Sequence, residues 1–165
     1  WLMEVDTVDE LEVLQLAGML EDSGYRFYLE AAKHVKNDKV RELVTHLAET
    51  ELEHKEVFDS LYEGLLADKG NYDDSYLFDE EVEKFFRQLV SDAVFPEPDA
   101  VPKMVQRLKT TDEVLDLAIQ AEKDSIRYYE KLAQETRLAK TREVAQRLIK
   151  EEKTHIEDLQ NMRDA

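Results

Sequence analysis

Glu21, Glu51 and His54 recur as Glu122, Glu152 and His155, each 101 residues further along a 165-residue chain. In both sets a lone glutamate is followed thirty residues later by Glu-x-x-His. Carboxylates and imidazoles are donors for hard and borderline divalent cations. Residues three apart on a helix project from nearly one face, so Glu51 and His54 can converge on one point, as can Glu152 and His155. Gathered in one core without a counter-ion, four carboxylates would be very costly: burial and mutual repulsion raise their pKa values or unfold the protein. Two divalent cations cancel four carboxylate charges and leave a neutral site, which favours two metals over one. Six protein donors around two metals also leave open or water-filled positions when two of the carboxylates bridge.

The pattern has to be weighed against coincidence. Glutamate is 23 of 165 residues, so any histidine has about a one-in-seven chance of a glutamate three positions earlier. His34 and His46 lack it and are assigned to the solvated surface. Two histidines in register, each with a glutamate on the right stripe of the preceding helix, are far rarer, and this arrangement is the donor set of two-metal carboxylate bundles. Tyr28 and Tyr129 lie seven residues after Glu21 and Glu122, on the same face. The ordinary reading is a core tyrosine with a satisfied hydroxyl; the functional one is a hydrogen bond to a ligand carboxylate, or a redox role. Glu49, Glu53, Glu56, Glu151 and Glu157 read most simply as helix-surface charges.

Composition narrows the chemistry further. There is no cysteine, which excludes disulfides, thiolate metal sites, iron–sulfur clusters and cysteine nucleophiles. A formal charge of −17 argues against nucleic-acid phosphates and anionic membranes as partners. No apolar run approaches the roughly 18 residues of a membrane span, and no signal-peptide pattern opens the chain. A cytoplasmic location is expected, and Trp1 in place of Met points to a trimmed or altered N-terminus.

The donors need helices to hold them, and only four Gly and three Pro among many Leu, Ala, Glu, Lys and Arg favour helix over strand. Leu14, Ala17, Glu21, Tyr25, Tyr28 and Ala32 share one stripe of a first helix over about 9–36, with Asp9 and Glu12 as a capping-box variant at its start. Asn37-Asp38 breaks this helix and caps a second, with Leu43, Leu47, Glu51, His54 and Phe58 on one face and Gly64 or Gly70-Asn71 as its stop. Phe78 to Ala93 reads as a short amphipathic helix within a long crossover, and Pro96, Pro98 and Pro102 hold the following stretch extended. A third helix is predicted from Thr111 to Thr136, capped by Thr110 with Glu113, and a fourth from Lys140 to Asn161. The turn near Leu138-Ala139 lacks Gly, Pro or Asn.

The fold class is therefore all-α: a single domain over 1–165, with hairpin one at about 9–66, a crossover at 67–110 and hairpin two at about 111–162. Aligned without a gap, 12–59 and 113–160 share sixteen of forty-eight residues, among them Ala17/Ala118, Arg26/Arg127, Tyr28/Tyr129 and Leu47/Leu148. One hairpin cannot bury its own apolar face, so a duplicated hairpin implies a four-helix bundle. Glu21 lies sixteen residues before the turn at Asn37 and Glu51 fourteen after it. At about 1.5 Å per residue the two carboxylates sit within about 3 Å of the same height.

In LEDSGYRFYLEAA with LAETELEHKEVF, and AEKDSIRYYEKLA with LIKEEKTHIEDL, the chain resembles the rubrerythrin branch of the ferritin-like superfamily over about two-thirds of its length. The resemblance implies Glu21 and Glu122 as terminal ligands, Glu51 and Glu152 as bridges, and His54 and His155 completing each coordination shell. Two departures stand out. Peroxidase rubrerythrins carry a further glutamate three residues after the third-helix ligand, where this chain has Ser125, and a cysteine-bound rubredoxin domain, for which this chain has no cysteine.

The expected function is that of a di-iron oxidoreductase acting on dioxygen or hydrogen peroxide with electrons from a separate donor protein, Glu51 and Glu152 serving catalysis as bridging ligands. Two iron ions are the expected cofactor, with manganese or zinc as other occupants, and a homodimer is expected by analogy with related bundles. Two other functions fit the same donors: iron handling, as a ferroxidase or storage and delivery protein, and a dimanganese catalase-like activity.

Overall fold

The computed structural model describes residues 10–67, 80, 100–107, 110–136 and 139–164. Five helices run through them: α1 (Glu10–His34), α2 (Asp38–Leu66), α3 (Val101–Arg107), α4 (Thr111–Glu135) and α5 (Ala139–Asp164). α1 packs along α2 and α4 along α5; the two hairpins meet through α2 with α5 and α1 with α4, and α3 lies against α1. The result is a ferritin-like bundle of two duplicated hairpins. No helix among the described residues is long and apolar enough to cross a membrane.

The start of α2 follows from Asn37, whose extended backbone (φ −72°, ψ 120°) lets its side-chain oxygen accept from the amides of Lys39 (3.0 Å) and Val40 (3.2 Å). Thr110 does the same for α4, accepting from the Glu113 amide at 3.2 Å. The α4–α5 turn has no glycine or proline because an arginine closes it. Arg142 donates to the carbonyls of Ala133 (3.0 Å) and Thr136 (2.7 Å), satisfying helix-end acceptors that would otherwise lack partners. Arg41, its repeat equivalent, donates to the Val35 carbonyl at 2.6 Å at the end of α1.

Two sequence expectations are corrected. α2 does not stop at Gly64 but runs to Leu66, ending on Ala67 in right-handed geometry (φ −69°, ψ −13°). Glycine in a helix costs only about 1 kcal/mol, and the last turn is held by Tyr62, Leu65 and Leu66 packing onto the core. Pro102 is not in extended chain; it is the second residue of α3. Proline is tolerated in a first turn, where its missing N–H has no intrahelical acceptor to serve. The Asp9 cap, the Gly70-Asn71 stop and Pro96 with Pro98 lie outside the described residues, as does the 78–93 helix apart from Glu80.

Two apolar clusters fill the bundle. One gathers Phe27, Tyr28, Val35, Val44, Leu47, Leu115 and Leu159; the other Leu11, Leu14, Leu20, Phe58, Tyr129, Leu132 and Leu148. Adding 101 to Tyr28, Ala31, Val44 and Leu47 of the first lands on Tyr129, Leu132, Ala145 and Leu148 of the second, whereas Val40 lands on Thr141, outside it. The two hairpins are thus related by a pseudo-two-fold axis, each turn lying at the opposite end of the bundle from the other. At about 1.5–3 kcal/mol for each fully buried large apolar side chain, these clusters supply the stability that lets polar groups sit between them.

Candidate metal centre

Between the two clusters lie Glu21 and Glu122 at 0 % exposure, Glu152 at 0 %, Glu51 at 2 %, His54 at 3 % and His155 at 6 %. All six residues singled out by spacing come together in one buried group. They form two overlapping sets, Glu21, Glu51, His54 and Glu152, then Glu51, Glu122, Glu152 and His155, with donor atoms in each set within 4.8 Å of one another. Glu51 and Glu152 belong to both sets, while each terminal glutamate and each histidine belongs to one.

Both imidazoles turn Nδ1 inward. His54 Nδ1 lies 3.1 Å from Glu152, 3.5 Å from Glu21 and 4.0 Å from Glu51; His155 Nδ1 lies 3.0 Å from Glu152 and 3.6 Å from Glu122. The phenols cross between the halves. Tyr28 of hairpin one donates to Glu122 at 2.5 Å, and Tyr129 of hairpin two donates to Glu21. Both rings are fully buried, so each hydroxyl is satisfied by a carboxylate of the opposite hairpin.

Even so, five buried polar atoms among the described residues have no hydrogen-bond partner: Glu21 Oε2, Glu51 Oε1, His54 Nδ1, Glu122 Oε2 and Glu152 Oε1. Buried polar atoms are almost always paired, and each one left alone costs about 1–3 kcal/mol. Here all five face one another in one group. Unpartnered carboxylate oxygens and an imidazole nitrogen, on residues whose ligand atoms lie within 4.8 Å of one another in each set, are the environment a divalent cation satisfies.

The proton inventory points the same way. Burial, then the charges of Glu152, Glu21 and Glu122, raises Glu51 well above the usual carboxylate range. Burial and Glu152 push Glu122 up to about 8, with His155 opposing. Burial also acts on Glu152, but its contacts with Glu122, His155 and His54 lower it overall. Burial pulls the histidines down, yet their carboxylate neighbours outweigh it, raising His54 to about 11 through Glu152 and Glu21 and His155 to about 10 through Glu122 and Glu152. Burial, then Glu122 for Tyr28 and Glu21 for Tyr129, keeps both phenols neutral donors. Burial and mutual repulsion thus favour bound protons on Glu51, Glu122 and both imidazoles, which is the direction expected of a group short of positive charge, and divalent cations would meet the same demand.

A family model described as Rubrerythrin matches residues 12–163. The chain belongs to the rubrerythrin family. It is also similar to the crystal structure of a "putative ferritin-like diiron-carboxylate protein" from Thermotoga maritima, with 28% identity, 93% of each chain covered and a TM-score of 0.66. No curated protein matches. Family membership and the buried carboxylate–histidine group together make this a rubrerythrin-family helical bundle with a candidate metal site at its centre.

Within the rubrerythrin frame, Ser125 is buried on α4, where the peroxidase members carry their additional glutamate. His46 is exposed, whereas His34 is partly buried and lies 3.3 Å from Glu30. Of the flanking acids, Glu49, Glu53, Glu56 and Glu157 are exposed. Glu151 is the correction: its Oε2 lies 2.5 Å from His54 Nε2, across the α2–α5 interface. Sequence reading missed it because Glu151 stands among charged residues, after Lys150 and before Glu152 and Lys153, as surface acids do, and only the facing of α5 onto α2 brings it to a histidine.

Proposed function

We propose that the group binds two iron ions and that the chain is an oxidoreductase for dioxygen or hydrogen peroxide, drawing electrons from a separate donor protein. Glu21 and His54 would hold one ion, Glu122 and His155 the other, and Glu51 and Glu152 would be shared. The observation that carries this reading is that Glu51 and Glu152, alone among the described residues, belong to both four-residue sets. Two ferrous ions held there would supply two electrons, enough with two protons to reduce hydrogen peroxide to two water molecules.

The protein's part in that chemistry is positional. Tyr28 and Tyr129 each fix one oxygen of a terminal glutamate, leaving the other oxygen free to face the ions. The inward Nδ1 atoms supply one neutral nitrogen to each position once their protons leave. The two apolar clusters above and below keep bulk water from the charged group, which strengthens every interaction inside it. With no cysteine in the 165 residues, reducing electrons enter from outside them.

The test is oxidation of added ferrous iron under dioxygen or peroxide, compared with a Glu51→Ala/Glu152→Ala variant. The native chain should bind two irons and oxidise them faster; equal rates would remove the catalytic reading. Retention of more than two irons per chain would replace it with iron storage, and oxygen evolution from peroxide without reductant would make the site catalase-like.

A further inference from the structure

The pseudo-two-fold axis makes the six candidate ligands equivalent in pairs, but it fails just outside them. We infer that the two metal positions are unequal, and that Glu151 makes the His54 position the tighter one. This rests on the two-metal reading above.

Glu151 Oε2 lies 2.5 Å from the outward nitrogen of His54, Nε2, while Nδ1 points at the carboxylate group. A proton held on Nε2 by this carboxylate leaves the Nδ1 lone pair directed inward. Glu151 is itself held from the other side, with Arg147 Nε 3.7 Å from Oε1 on the same helix. Carboxylates placed behind a ligating histidine in this way fix its tautomer and ring orientation and raise its basicity, and their loss costs about 10–100-fold in metal affinity.

Among the described residues the repeat offers nothing comparable to His155. The position equivalent to Glu151 is Thr50, and the one equivalent to Arg147 is His46. Thr50 donates its hydroxyl at 3.1 Å to the His46 carbonyl of its own helix. Among the described residues, the carboxylate contacts of His155 both run through Nδ1, to Glu152 and Glu122. Among the described residues Glu151 meets the candidate ligands only at His54 Nε2, so it is a positioning residue. It is also half-exposed, with 42 % of its side chain accessible, so it can be replaced without opening the core.

The experiment is a cobalt(II) titration of the full metal-free chain with a competing chelator, read by bound-metal stoichiometry and by the visible cobalt spectrum. The native chain should bind two ions in steps separated by about tenfold or more. Glu151→Thr, which copies position 50, should weaken the tighter step by about 10–100-fold, bring the steps together and alter the spectrum of the first ion bound. Glu151→Gln, whose amide oxygen still accepts from Nε2, should restore part of the loss. Thr50→Glu should strengthen the weaker step. In a His54→Ala background Glu151→Thr should change nothing further, because its only route to the metal is gone. Two equal native steps, or a Glu151→Thr variant with both steps unchanged or equally weakened, would overturn the inference while leaving the two-metal site standing. Failure of the native chain to bind cobalt at all would instead remove the reading beneath it.

Discussion

Hairpin one and hairpin two make the same local structures and then diverge where they face each other. Arg41 closes the end of α1 as Arg142 closes the end of α4, and Tyr28 reaches Glu122 as Tyr129 reaches Glu21. Each hairpin supplies a terminal carboxylate, a shared carboxylate and an imidazole, and neither can complete a site alone, because each four-residue set borrows its last glutamate from the other half. The difference sits one residue before the shared glutamate: Glu151 in one half, Thr50 in the other. Duplication thus fixes the number and height of the donors, and single substitutions beside them are free to make the two positions chemically distinct.

The largest effect that would break this comparison comes from separating shared from terminal donors. Glu51→Ala and Glu152→Ala each remove a member of both sets, so each should take bound metal from two ions per chain to fewer than one. Glu21→Ala and Glu122→Ala each remove a member of one set, so each should leave about one ion. Metal-to-protein ratios after desalting decide it. If all four variants retained the same amount, the sharing read from the geometry would be wrong.

Most of this site is legible in the amino-acid sequence, for a physical reason: Glu51 and His54 converge because of helical periodicity, and Glu21 reaches them because of hairpin register, both properties of a short stretch of chain. The two hairpins and the Asn37 and Thr110 caps are legible on the same grounds. What is not legible depends on how one hairpin faces the other. The carboxylate that each tyrosine holds belongs to the opposite half, and Glu151 meets His54 only across the α2–α5 interface. The arginine-closed turn is hidden differently: Arg41 and Arg142 are identical in the repeat, but a helix end sealed by a side chain leaves no glycine or proline to mark it.

The second effect in size concerns what the two halves share without metal. His54, His155, Glu51 and Glu122 all have pKa values raised in the folded chain, so the fold holds more protons than the unfolded chain and its stability must fall as pH rises. For the histidines the contribution is fully present below their ordinary 6.5 and is lost as pH passes through about 10 to 11. For Glu122 the loss runs from its ordinary 4.5 to about 8. Glu152, lowered, works in the opposite sense below its ordinary 4.5 and is silent near neutrality. Each retained proton is worth about 1.4 kcal/mol per pH unit, so the Tm of the metal-free chain should drop by about 5 °C or more per unit between pH 7 and 9. The metal-loaded chain, its protons displaced, should be nearly flat. A metal-free Tm that rises over this range would mean that the histidines are already neutral.

The turns offer a smaller contrast. Arg142 serves two carbonyls and Arg41 one, so Arg142→Ala should cost about 3 kcal/mol or more and Arg41→Ala about half of that, at roughly 1.5–3 kcal/mol for each hydrogen bond to a charged group. Urea unfolding of the metal-free variants measures both. Equal costs would show that one carbonyl carries the effect in each turn and that the extra contact to Ala133 contributes nothing.

The smallest effect tests the axis at its centre. Tyr28→Phe and Tyr129→Phe keep the buried rings and remove only the hydroxyls, so neither opens a large cavity. Each leaves one more oxygen of a terminal glutamate without a donor, in a group that already has five unpartnered polar atoms. The expected cost is about 1–2 kcal/mol for each variant in the metal-free chain, at the lower end of what a stranded buried acceptor costs. Because the two phenols are exchanged by the pseudo-two-fold, the costs should match. Metal changes the expectation: Tyr28→Phe frees Glu122 beside His155, the position without an outer carboxylate, whereas Tyr129→Phe frees Glu21 beside His54, which Glu151 still steadies. Tyr28→Phe should therefore weaken metal binding more than Tyr129→Phe does. Matched costs without metal and unmatched costs with it would locate the asymmetry outside the ligands, where Glu151 and Thr50 differ, and the reverse pattern would place it in the core instead.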